Sequence, residues 1–184
     1  VGTGLMGRGI AQISAQAGID VWLFDARAGA AEEASTAVAA TLPPVCDFTV
    51  FGGTGDLALR KLLPALYHRD LEGHLPADTR IIGVSRSEID DAGYRLEVRA
   101  ALERFVEPAL LEEAAIARLL GRLHHLCLDS DTPDDWHLLH GLLKDRPRED
   151  ETVRVFYLAV APRLFGPTCE RLAEIDVVDE RARV

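Results

Sequence analysis

Between residues 45 and 175, short apolar runs alternate with longer stretches whose apolar positions recur every three or four residues. CDFTVFG (46–52), RIIGVSR (80–86) and HHLCLD (124–129) read as strands, and VRVFYLAVAP (153–162) reads as a long buried one. Between them DLALRKLLPALYHRDL (56–71) has helical spacing. Further helical patterns cover 88–106, break near Pro108, and resume over 109–123. TPDDWHLLHGLLKD (132–145) predicts a helix capped by Thr132, and a last helix is expected over 165–174. Strands alternating with helices predict a parallel sheet covered on both faces.

The chain's opening repeats the alternation in shortened form. Residues 3–17 have helical spacing, VWLFD (21–25) is a short strand ending in an acid, and the alanine-rich stretch 28–42 favours helix. Pro43-Pro44 then forces an extended break. The expected organisation is a truncated βαβ fragment over 1–43 and an α/β domain over 44–184, the latter incomplete at its C-terminal end.

Composition narrows the classes. With 184 residues, 48% hydrophobic and 27% charged, the chain can bury one sizeable core. A formal net charge of −10 disfavours nucleic acid and anionic membranes as partners. No apolar run approaches the roughly 18 residues of a membrane helix. Cys46, Cys127 and Cys169 are odd in number and widely spaced, which argues against a disulfide framework and for a reducing cytoplasm.

Two glycine-rich loops carry the candidate chemistry. Gly2-Thr3-Gly4-Leu5-Met6-Gly7 has the GxGxxG spacing, and Asp25 closes the following strand. In such a unit the glycines admit a pyrophosphate at a helix start, and the acid holds a ribose 2′-hydroxyl, favouring NAD. The second loop has its own strand before it: Gly53-Thr54-Gly55-Asp56-Leu57-Ala58 fits GxGxxA. Here the next strand ends in Ser85-Arg86 rather than an acid. A guanidinium there can pair with a 2′-phosphate that an acid would repel, so this loop points to NADP. With either loop the fold class is α/β, a Rossmann-like doubly wound parallel sheet.

The runs FGGTGDLALRKLLPALY, RIIGVSR and VFYLAVAPRLFG, in that order across residues 46–184, resemble the N-terminal coenzyme domain of the glucose-6-phosphate dehydrogenase family. The resemblance implies that Gly53, Thr54, Gly55, Asp56, Leu57 and Ala58 wrap the pyrophosphate of NADP. It implies that Ser85 and Arg86 face the 2′-phosphate, and that Asp129 and Ser130 lie beside the adenosine. Ala161 and Pro162 would border the nicotinamide, and Lys61 would stand near the junction of nicotinamide and sugar-phosphate substrate. Tyr157 is expected to be mostly packing. The family's EKPFG segment and its Asp-His-Tyr-Leu-Gly-Lys segment, which carries the general-base histidine, are not found in the chain, so no catalytic residue is named. The opening GLMGRGIAQISAQAGIDVWLFD resembles instead the start of the 3-hydroxyacyl-CoA dehydrogenase family, with Gly2, Gly4, Gly7 and Asp25 as its NAD-binding candidates. That family's catalytic histidine segment has no counterpart downstream.

No metal site is expected. His124 and His125 are adjacent, His137 and His140 share a helix face, and Asp129, Asp131, Asp134 and Asp135 are near in sequence, but no ligand set has a fixed spacing. The sequence is compatible with three readings. One is the NADP-binding part of a glucose-6-phosphate dehydrogenase-like oxidoreductase, with a sugar phosphate as substrate in an intact relative. The second is a fragment of an NAD-dependent 3-hydroxyacyl-CoA dehydrogenase. The third is a non-catalytic fusion product. Truncation is expected to leave sheet edge and apolar surface uncovered, favouring partial disorder or aggregation.

Overall fold

The chain divides into two units, Val1–Pro43 and Pro44–Val184. The computed structural model describes residues 45–130, 132–146, 152–179 and 182–184, all in the second unit. The first glycine loop and Asp25 therefore lie outside the described residues.

Four parallel strands make one sheet: β1 (Cys46–Phe51), β2 (Arg80–Ser85), β3 (Leu123–Cys127) and β4 (Val153–Leu158). Their order is β3-β2-β1-β4. The connections carry α1 (Leu63–Leu71, entered through a wider π turn at Ala58–Leu62), α2 (Asp91–Phe105), α3 (Glu113–Gly121) and α4 (Pro133–Lys144), and α5 (Phe165–Glu174) follows β4.

The two faces of the sheet bury different sets. Ile81 and Leu123 join Leu63, Leu66 and Tyr67 of α1, Tyr94, Val98 and Leu102 of α2, and Ile116 and Leu119 of α3. On the opposite face Phe51, Ile82, Val84 and Phe156 meet Trp136, Leu139 and Leu143 of α4 and Leu172 of α5. Ile81 and Ile82 are neighbours in sequence and point to opposite cores, as the two-residue period of a strand requires. Central strands buried on both faces read as continuous apolar runs, which is why β2 was legible.

Several local expectations shift. The strand expected over 153–162 stops at Leu158, and its burial alternates because β4 is one of the two outer strands of the four. The apolar tail Ala159–Pro162 is instead the turn that follows it. Tyr157 is correspondingly 38% exposed, stacked on Phe48 with ring centroids 6.4 Å apart, rather than packed inside. The strand expected over 124–129 runs from Leu123 to Cys127. A short 3-10 turn at Pro108–Leu110 precedes α3, which starts only at Glu113. Thr132 occupies the N-cap position of α4, but its side chain makes no capping bond; Pro133 starts the helix with no N–H to satisfy. The π turn before α1 has a local cause. The Leu63 N–H reaches the Ala58 carbonyl five residues back, and Pro64, which cannot donate, follows immediately.

Candidate functional site

In a parallel sheet all strands end on one edge, and the candidate residues follow those ends. Gly53 to Ala58 follow β1, Ser85 ends β2 with Arg86 next, Asp129 and Ser130 come two and three residues after β3, and Ala161 and Pro162 follow β4. Register aligns Phe51 with Val84 on one side and with Leu158 on the other, so the loops after β1, β2 and β4 start at one level.

The glycine loop is held to its neighbours by backbone. Gly52 and Gly53 both donate to the Val84 carbonyl, at 2.8 and 3.1 Å. Gly52 has φ +84°, and a Cβ there would stand 2.4 Å from the Ala159 carbonyl oxygen. A Cβ on Gly53 would stand 2.6 Å from the Gly83 Cα. Only glycine satisfies both contacts. Beneath the loop the Tyr94 ring occupies the space a Gly83 side chain would need, its Cζ 2.4 Å from the position of a Cβ. The Tyr94 hydroxyl donates to the Gly53 carbonyl at 3.2 Å. Burial pushes that hydroxyl's pKa upward, so it stays a donor at neutral pH.

The fit to a dinucleotide phosphate follows from these contacts. The first loop N–H groups are spent on β2, while those at the helix start, Asp56 to Ala58, have no carbonyl one turn earlier within the helix. Ala58 is buried, and Asp56 and Leu57 are exposed. Gly53 is buried, while Thr54 and Gly55 are half-buried.

At the end of β2, Arg86 is exposed and makes no hydrogen bond or ion pair among the described residues. Ser85 is engaged. Its Oγ lies 3.0 Å from His125 Nε2 and accepts the Ser87 N–H at 3.2 Å. The Ser87 hydroxyl in turn lies 3.3 Å from that of Thr54, closing a link back to the glycine loop. Asp129 and Ser130 are exposed but tied to α4: the Asp129 N–H donates to the Asp135 carboxylate at 2.8 Å, and the Ser130 carbonyl accepts the Trp136 indole N–H at 3.2 Å. Ala161 is half-buried and Pro162 exposed, opening the turn before α5. Lys61 is exposed on the π turn. His137 is exposed and His140 half-buried on α4.

Sequence reading missed Gly52, Tyr94 and Ser87, and weighed His125 only as a metal ligand. Gly52 was visible as the first of the loop's three glycines, but the Ala159 carbonyl that excludes a side chain there follows a distant strand. Nothing local distinguishes Tyr94 or His125 from ordinary core residues.

Comparison with known proteins bears on this edge. The family model described as glucose-6-phosphate dehydrogenase, NAD binding domain, matches residues 49–184. The model described as 3-hydroxyacyl-CoA dehydrogenase, NAD binding domain, matches residues 1–47. Glucose-6-phosphate 1-dehydrogenase of Mycolicibacterium smegmatis is 51% identical over 140 residues, which are 76% of this chain and 28% of that protein. The enzyme of the same name from Gluconobacter oxydans is 43% identical over 140 residues, 75% of this chain and 28% of its own length. Among solved structures, glucose-6-phosphate 1-dehydrogenase from Mycobacterium avium superposes with a TM-score of 0.65 at 32% identity, covering 77% of this chain and 29% of that one. A glucose-6-phosphate dehydrogenase in complex with glucose-6-phosphate also gives a TM-score of 0.65, at 27% identity, covering 74% of this chain and 28% of that one. The chain thus spans under a third of the length of these relatives.

Proposed function

The chain belongs to the glucose-6-phosphate dehydrogenase NAD-binding-domain family, and from that premise we propose that residues 44–184 bind NADP along the C-terminal edge of the sheet. A nicotinamide dinucleotide is the cofactor class of that family, and the choice of NADP is our reading. The observation that carries it is Arg86, exposed and without a partner among the described residues, where an NAD-preferring site has an acid. Gly53 to Ala58 would hold the pyrophosphate, Ser85 and Arg86 the 2′-phosphate, Asp129 and Ser130 the adenosine, and Ala161 and Pro162 the nicotinamide. Gly2, Gly4, Gly7 and Asp25 of the fragment 1–43 carry no role in this reading.

In an intact relative, the bound cofactor would accept the hydride from C1 of glucose 6-phosphate, giving the 6-phospholactone at the entry to the pentose phosphate pathway. What this chain's residues contribute is position. Gly52 and Gly53, pinned to Val84, set the depth of the phosphate loop, and the exposed Lys61 would stand near the junction of nicotinamide and sugar-phosphate substrate. None of the six histidines has the sequence neighbours of the family's base, so the reading assigns cofactor binding, and not the proton transfer, to these 184 residues. A cytoplasmic location goes with an NADP-linked sugar oxidation.

Calorimetric titration with NADP⁺ and with NAD⁺ tests the assignment. NADP⁺ is expected to bind the more tightly, and Arg86→Ala is expected to weaken it by about 10- to 100-fold while leaving NAD⁺ unchanged, the range of a charge-assisted hydrogen bond. NAD⁺ preference indifferent to Arg86 would move the working site to residues 1–43 and favour the second reading. No heat with either cofactor would leave the fusion-product reading.

A further inference from the structure

The hydrogens around Ser85 can be counted. The His125 Nδ1 lies 3.0 Å from the Ile89 carbonyl, which can only accept, so Nδ1 carries a hydrogen. In the neutral ring Nε2 is then an acceptor, and the 3.0 Å contact with Ser85 must be donated by the serine. The Ser85 Oγ also accepts the Ser87 N–H. Its single hydroxyl hydrogen is therefore spent on a histidine, at the position where the cofactor reading asks for a donor to a 2′-phosphate.

Protonation of His125 reverses that bond. Nε2–H then donates to the Ser85 Oγ, whose two lone pairs take Nε2–H and the Ser87 N–H, and the hydroxyl hydrogen is released to the open side of the turn. We propose that His125 is a positioning residue for the 2′-phosphate: it withholds the Ser85 hydroxyl hydrogen while neutral and frees it to the phosphate when protonated. The inference rests on the NADP reading above. By linkage, a ligand that uses this hydrogen must raise the affinity of His125 for a proton, and acidification must strengthen that ligand's binding.

The surroundings suit such a switch. His125 is half-buried against Tyr94, with ring centroids 5.3 Å apart, and burial holds its pKa below the ordinary 6.5. Acidic groups oppose that shift from α2: Asp91, whose carboxylate accepts the His125 backbone N–H at 2.7 Å, and Glu97. Arg95 lies beside Asp91 at 3.5 Å, and His124 shares the same carboxylate at 3.1 Å from the adjacent strand position. Arg86 and Glu88 sit on the segment between Ser85 and Ile89 that engages both ring nitrogens. An anion at Arg86 adds to the carboxylate side of this balance.

The test follows the His125 ring signal by NMR in the 184-residue chain, identified by its absence in His125→Gln, from about pH 5 to about pH 8. Adenosine 2′-monophosphate is the probe and adenosine the control. The probe is expected to raise the His125 midpoint by at least about 0.5 pH unit, equivalent to a roughly threefold gain in affinity on acidification relative to His125→Gln. Adenosine is expected to leave it in place. Ser85→Ala, which keeps every charge but removes the relay, is expected to abolish most of the shift. A shift retained in Ser85→Ala, or an unmoved midpoint with the probe bound, overturns the inference and leaves the NADP reading standing. Failure of the probe to bind, measured by calorimetry on the same sample, overturns both.

Discussion

Single residues at this edge are constrained by backbone they cannot see in the sequence. Gly83 lies in the middle of a buried strand, where a β-branched residue would ordinarily serve better. It is glycine because the Tyr94 ring fills its side-chain position and braces the loop from below. Gly83→Ala should therefore cost about 1–3 kcal/mol in urea unfolding, as overpacking of a tight core does. Gly141 is the control. It lies within α4, and a Cβ added there would meet nothing within 4 Å. Gly141→Ala should stabilise by up to about 1 kcal/mol in the same measurement. Equal effects of the two changes would mean that the ring does not brace the loop.

At the scale of elements, the strand starts carry a feature opposite the cofactor edge. Asp47, second residue of β1, is fully buried, and Arg80 at the start of β2 is its register partner. Arg80 binds both carboxylate oxygens at 2.8 and 2.7 Å, and Arg146 reaches one of them at 2.5 Å. A buried ion cluster of this kind is weak evidence for stability, because desolvation offsets much of the attraction. Removing one partner is another matter, since it strands the remaining charges. Asp47→Ala is expected to destabilise the unit by about 3–5 kcal/mol, read from the urea midpoint. A loss under about 1 kcal/mol would show that the arginines turn to solvent instead. Burial, with Asp47 adding to it, pushes the half-buried Cys46 thiol up to about 12, which keeps it protonated and a weak nucleophile at neutral pH.

For the molecule as a whole, β3 and β4 are the outer strands among the described residues, and the free side of β4 is one place where the sheet can grow. Residues 182–184 already approach it: Val155 and Arg183 form a parallel bridge, with the Phe156 N–H donating to the Arg183 carbonyl and the Arg183 N–H to the Arg154 carbonyl, both at 2.8 Å. Such a segment blunts an otherwise open edge. Deleting residues 182–184 is expected to lower stability by about 1–2 kcal/mol, two net backbone hydrogen bonds, and to raise light scattering on heating. An unchanged melting curve would show that the bridge contributes nothing. Tyr157, Phe165 and Leu138 remain exposed, and we propose that aggregation of the 184-residue chain begins at such apolar surface.

The amino-acid order alone carries the α/β alternation, the parallel sheet, the position of the second glycine loop and the basic residue after β2, because each rests on local period, turn chemistry or charge. It misjudged the end of β4, where an apolar run continues past the last ladder bond into a turn whose Ala159 carbonyl packs against Gly52. Periodicity cannot tell a strand from an apolar turn of the same composition. That Tyr94 stands under Gly83, that Asp47 is shared by two arginines and that His125 Nε2 meets the Ser85 hydroxyl belongs to the packing alone. Each of these joins residues on different strands and helices, and a pattern read along one segment carries no record of what the register brings alongside it.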